Sequence, residues 1–141
     1  MSKDPVPLKA VHHVEFYVGN AKQAAYYYRK AFGYDQIAYS GLETGDREKA
    51  SYVLAQGRIR MVFSTPLNGD NDLAEHIRKH GDGVKDIAFH VDDAEKCYEA
   101  CIARGAKSAK EPETISDENG SITKASIFTY GETVHSFISH N

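Results

Sequence analysis

Apolar and polar residues alternate through His12-His13-Val14-Glu15-Phe16-Tyr17-Val18, and a matching alternation returns 73 residues later in Lys85-Asp86-Ile87-Ala88-Phe89-His90-Val91. Phe16 matches Phe89, Val18 matches Val91 and Ala21 matches Ala94. The chain therefore carries an internal repeat, and each copy passes from a two-residue strand period into a helical one. Behind the first strand, Asn20 reads as a helix cap with Gln23 three residues on. Ala21, Ala24, Ala25, Tyr28 and Phe32 then share a helical face before Gly33 stops the helix. Behind the second, Asp92 with Glu95 reads as the same cap, Ala94, Cys97, Tyr98, Cys101 and Ile102 make the stripe, and Gly105 ends it. Strands are predicted around 36–39, 50–55 and 59–64 after the first helix, the last two joined at Gln56-Gly57. Strands around 106–110, 122–129 and 133–139 follow the second helix, the last two joined at Tyr130-Gly131.

Each repeat is thus strand, helix and three strands, too little to bury its own sheet face. The predicted fold is α+β: two βαβββ modules paired into a curved mixed sheet with the helices outside. A lead-in covers 1–10, the first module 11–70, a linker helix and turn 71–82, and the second module 83–141, forming one domain overall. Leu73 and Ile77 lie four apart in the linker and Gly81 stops it. The stretch 116–121 reads as a polar turn.

Side chains alternate across a strand, so His13, Glu15 and Tyr17 point away from the helix while Val14 and Phe16 point toward it. Asp86, Ala88 and His90 are the corresponding set in the second module. If the open faces meet, His13, Glu15, Asp86, His90 and His135 project into one polar cup. Two His and one carboxylate with open positions are the ligand set of non-haem Fe(II) oxygenases. The same groups can equally satisfy one another and ordered water. His76 and His80, i and i+4 on the linker helix, can share a metal but read as a wet helix face. His12 reads as a core-edge group, and His140 as terminal.

Composition narrows the function classes. With 141 residues, 41% of them hydrophobic and 26% charged, the chain is a globular domain rather than a disordered one. A net charge of −3 without basic runs argues against nucleic acid. No apolar run approaches the ~20 residues of a membrane span, and MSKDPVPLKA has no hydrophobic signal segment, so the expected setting is cytoplasmic and off the membrane. Cys97 and Cys101, four apart on a helix, are expected to be reduced and buried. No phosphate loop or nucleophilic triad stands out.

The βαβββ pair resembles the vicinal oxygen chelate (glyoxalase-like) superfamily. More narrowly, the blocks Val18-Gly19-Asn20-Ala21-Lys22-Gln23-Ala24-Ala25, Gly41-Leu42-Glu43-Thr44-Gly45, His80-Gly81-Asp82-Gly83-Val84-Lys85-Asp86-Ile87-Ala88 and Thr129-Tyr130-Gly131-Glu132-Thr133 resemble the N-terminal domain of the 4-hydroxyphenylpyruvate dioxygenase family. The resemblance implies a half-enzyme. In that family a second domain holds Fe(II) with two His and one Glu, and the complete enzyme converts 4-hydroxyphenylpyruvate and O2 to homogentisate and CO2. The superfamily's metal positions fall here on His13, Asp86, Phe63 and Phe137, and phenylalanine cannot coordinate.

The expectation is therefore a non-catalytic scaffold domain with no catalytic residue, metal or other cofactor of its own. His13, Glu15, Asp86, His90, His135 and Phe137 are expected to line the pocket. Its partners would be a second vicinal oxygen chelate domain or a copy of itself, with a small aromatic or α-keto acid as the possible ligand. A freestanding small-molecule binding protein with a polar cup is the alternative from another function class.

Overall fold

The computed structural model describes residues 4–141. Its elements are β1 (Ala10–Tyr17), α1 (Ala21–Phe32), β2 (Asp35–Ser40), a 3-10 turn (Leu42–Thr44), β3 (Lys49–Gln56), β4 (Ile59–Pro66), α2 (Asp72–His80), β5 (Gly83–His90), α3 (Ala94–Ala103), β6 (Ser108–Asp117), β7 (Gly120–Phe128) and β8 (Val134–His140). The fold is α+β, and both strand-helix-strand-strand-strand runs are present. Contacts group the chain into two compact units, residues 13–85 and residues 86–141 together with 4–12. The expected lead-in falls partly outside the described residues. Within it, Val6 packs against the core of the second unit.

In the first unit the strands lie in the order β2, β3, β4, β1, antiparallel except for the parallel β1/β4 pair. The Asn20 side chain accepts from the Gln23 N–H, and Gly33 closes α1 in the left-handed region at φ 78°. Both ends of the helix are thus set by the residues that the sequence pattern marks. Its small residues Ala21 and Ala25 let the sheet approach closely, and Leu54 and Phe63 fill the interface. Phe63 stacks on Phe16 at 5.0 Å and on Tyr28 at 5.3 Å.

In the second unit the order is β5, β8, β7, β6, again with one parallel pair, β5/β8. Here Ala94 and Cys97 of α3 meet Val91 and Phe137. The cap of α3 is Asp93 rather than the expected Asp92, its carboxylate accepting from the Lys96 N–H. Asp93, not Asp92, is the residue 73 positions after Asn20, so the repeat register decides between adjacent aspartates. β6 runs far beyond the expected short strand, to Asp117. It is the outermost strand of this unit and carries bulges on both sides of Lys110. At such an edge Pro112 costs no ladder bond, which is why proline and charge hid the strand from the hydrophobic pattern. Cys97 and Cys101 are free thiols, and burial pushes the pKa of each up.

The 3-10 turn after β2 shows how a short motif is held. The Gly41 N–H donates to Thr44 Oγ1 at 2.8 Å, and Gly45 takes φ 95°. Tyr39 Oη donates to Glu43 at 2.7 Å, and a Cβ on Gly41 would stand 2.1 Å from that phenol oxygen. The hydrogen bond to Glu43 pushes the Tyr39 pKa up to about 12 and lowers that of Glu43. The bond's contribution is therefore lost as pH rises through about 12, and at the acid end as pH falls through the lowered Glu43 range. In an ultraviolet titration one tyrosine is expected to ionise late. Glu43→Gln, or Gly41→Ala by displacing the ring, is expected to return it to the ordinary range near 10. A late tyrosine that persists in both variants would contradict this assignment.

Candidate functional site

On the face of the first unit opposite α1, β1 carries His13, Glu15 and Tyr17, and its register places Glu15 beside Val62 and Tyr17 beside Ser64 of β4. Ser64 is fully buried and donates to Glu15 Oε2 at 2.7 Å. Ser51 of β3 lies 2.7 Å from Ser64 Oγ. A hydroxyl has one proton, so Ser51 must be the donor of that second bond. Nearby, Tyr17 packs edge-on against His76 at 5.3 Å, and His76 lies 4.7 Å from the His80 ring. His76 is only 5% exposed, so this side of α2 is not the wet face that the spacing suggests.

The second unit builds a similar chain of hydroxyls on its open face. Asp86 is 2% exposed; it accepts from the Ser136 N–H at 3.0 Å through Oδ1 and from the Ser136 hydroxyl through Oδ2. Ser126 lies 2.7 Å from Ser136 Oγ and donates to it by the same single-proton argument. Lys124 Nζ stands 3.9 Å from Asp86 and balances its charge. Each unit thus has a carboxylate on its leading strand served by a serine of its closing strand and a serine of the next.

Two expected pocket residues do not belong to this face. Phe137 is 3% exposed and packs with Val91, Ala94 and Cys97 on the α3 side. His135, two residues away and so on the same side of β8, lies 4.9 Å from the Phe89 ring and places Nδ1 3.0 Å from the Ile87 carbonyl. Phe63 likewise sits against α1. The alternation of β4 and β8 is therefore one residue out of step with the expectation. The side chains that face the leading-strand carboxylates are serines, while both phenylalanines are core. His90 lies at the end of β5, where it meets His12 and His140.

These residues do not fit a catalytic iron centre in either unit. Asp86 is buried and already accepts two bonds from Ser136, and the closing-strand residues that face the two carboxylates, Ser64 and Ser136, are poor replacements for imidazole or carboxylate as ligands. Nor are Ser64 and Ser136 placed as nucleophiles: each donates to a carboxylate, but both are fully buried, where a substrate cannot reach the hydroxyl. What the network does well is hold strands in register while satisfying buried polar groups.

The motif blocks are also joints of the fold. The Gly19 N–H donates to Asp82 Oδ1 at 2.9 Å and the Gly19 carbonyl accepts from Thr65 Oγ1 at 2.9 Å, so the first block is tied to the third. In the last block the Thr129 N–H and hydroxyl both donate to the Thr133 carbonyl, at 3.0 and 3.1 Å, around Gly131 at φ 60°.

Residues 12–123 match the Glyoxalase/Bleomycin resistance protein/Dioxygenase superfamily. The chain belongs to that superfamily. Among curated proteins it is 52% identical over 133 residues to the 4-hydroxyphenylpyruvate dioxygenase of Dictyostelium discoideum, covering 93% of this chain and 36% of the relative. To that of Danio rerio it is 46% identical over 130 residues, covering 92% and 33%. The chain thus spans about a third of the length of these relatives and matches one domain of an enzyme of that kind. Among solved structures, a mutant 4-hydroxymandelate synthase from Streptomyces coelicolor superposes with TM-score 0.89 at 25% identity, over 95% of this chain and 39% of that one. The methylmalonyl-CoA epimerase of Mycobacterium tuberculosis shares the fold at TM-score 0.76 and 17% identity, over 100% and 93%. Within the superfamily, then, the chain is far closer in sequence to the dioxygenases than to the single-domain epimerase. Among the described residues no helix is long and apolar enough to cross a membrane.

Proposed function

We propose that this chain is the N-terminal, non-catalytic scaffold domain of a 4-hydroxyphenylpyruvate dioxygenase-like enzyme acting in the cytoplasm. The reaction of the complete enzyme is oxidation of 4-hydroxyphenylpyruvate by O2 to homogentisate and CO2. Fe(II) would supply the oxygen chemistry from a second vicinal oxygen chelate domain, the principal partner, with a further copy of the chain as an additional one. One observation carries the reading: identity of 42–52% over about nine-tenths of this chain, against only about a third of each relative. The serine-satisfied carboxylates support it, since they leave Glu15 and Asp86 as structural acceptors rather than acids or bases for a substrate.

Oxygen-electrode assays decide the matter. The isolated chain loaded with Fe(II) is expected to show no O2 uptake on 4-hydroxyphenylpyruvate above the buffer rate. A parallel assay on the intact native protein purified from its source is expected to show uptake. Turnover by the isolated chain would overturn the scaffold assignment, and an inactive intact protein would overturn the dioxygenase one.

A further inference from the structure

Three histidines outside the carboxylate networks come together where strands of the second unit end. β5 and β8 run parallel, so His90 and His140 leave the sheet at the same end. The Lys9 N–H donates to the His90 carbonyl at 2.9 Å and brings the start of β1, with His12, to the same place. His12 Nε2 stands 3.2 Å from His140 Nε2, with the two rings 24° from parallel. The His90 ring stands edge-on to both, at 5.4 Å from His140 and 6.3 Å from His12. His140 is exposed and the other two are half-buried, so a solute can reach them.

We propose that His12 and His140 are a chelating pair for a divalent cation of the zinc, nickel and copper class, with His90 as a third imidazole. A separation of 3.2 Å is at the long limit of a nitrogen-donor hydrogen bond. Two nitrogens bound to one tetrahedral zinc at about 2.0–2.1 Å stand about 3.3–3.4 Å apart, so the pair needs to open by only about 0.1–0.2 Å while each ring turns by about 35° to aim its Nε2 lone pair off the N···N axis at the metal. Both Nε2 atoms must then be bare. The proton one of them donates in the His12–His140 bond moves to Nδ1 of its own ring, and two neutral imidazoles release no net proton. His90 joins by turning its side chain, and water fills the remaining position. Nitrogen donors select this class over magnesium and calcium, which take oxygen. The neighbouring Lys9 ammonium is held by Asp92 at 2.6 Å, which neutralises its repulsion of a cation.

Calorimetric titration of the intact chain with zinc chloride, in a non-coordinating buffer near neutral pH, tests this. Cobalt(II) absorption serves as a second readout of nitrogen ligation. One equivalent is expected to bind. His140→Gln and His12→Gln should each weaken binding by about tenfold or more, and His90→Gln by a smaller factor. His76 and His80 can chelate by their helical spacing alone, so His80→Gln is the control and is expected to leave the affinity unchanged. His140 is exposed at a strand end, and its variant decides the outcome even if His12→Gln fails to fold. No saturation below millimolar zinc, an affinity that His140→Gln leaves intact, or binding lost in His80→Gln would each overturn the site.

Discussion

Phe137→Glu is expected to unfold the chain rather than to install a metal ligand. The superfamily resemblance marks position 137 for coordination, which makes glutamate there the obvious way to rebuild a site. The structure sets that side chain, 3% exposed, among Val91, Ala94 and Cys97. Truncating a buried phenylalanine costs about 3–5 kcal/mol in lost transfer and cavity energy. Glutamate adds the desolvation of an unpaired charge, several kcal/mol more, and the total reaches the whole stability of a typical domain. Circular dichroism with urea denaturation reads the effect, with Phe137→Leu as a milder comparison expected to remain folded. A folded Phe137→Glu protein that binds Fe(II) would show that the side chain faces the open side after all.

Asp86→Ala carries the second large effect. It removes both acceptors that Ser136 uses, leaving a buried N–H and a buried hydroxyl without their partner, and it strands the half-buried Lys124 ammonium nearby. Hydrogen bonds to charged groups are worth about 1.5–3 kcal/mol, and unsatisfied buried donors cost a similar amount. A loss of about 3–5 kcal/mol is therefore expected, in line with breaking a buried charged pair. Ser136→Ala removes the hydroxyl while keeping the N–H bond, so it should cost about half as much. Denaturant midpoints for the two variants check the order. If Asp86→Ala is as stable as the parent, the serine network is not what holds β5 to β8.

The pattern of apolar positions was enough to read the repeat, both long helices with their glycine stops, and the alternation of β1. These are local properties: a cap side chain meets an N–H three residues away, and a strand's period needs no partner to be seen. The linker helix was legible for the same reason, from Asn71 to Gly81. β6 was not, because an edge strand is free to carry lysine, glutamate and proline, so its sequence lacks the apolar period by which strands are recognised.

What the sequence by itself determined is the fold class, the two βαβββ runs and, through the four motif blocks, the family resemblance. Only the tertiary structure decided which side of β4 and β8 faces the helices. Both alternating sets in β8 contain apolar residues, Val134 and Ile138 in one and Phe137 in the other, so its own pattern is ambiguous. The register against β5 and the packing of α3 resolve it, placing Phe137 in the core and Ser136 on Asp86. The same holds for His12, His90 and His140. They are scattered along the chain: His90 and His140 meet because the parallel strands β5 and β8 end together, and His12 joins them because the Lys9 N–H pairs with the His90 carbonyl at the start of β1, long-range consequences of pairing that no local period encodes.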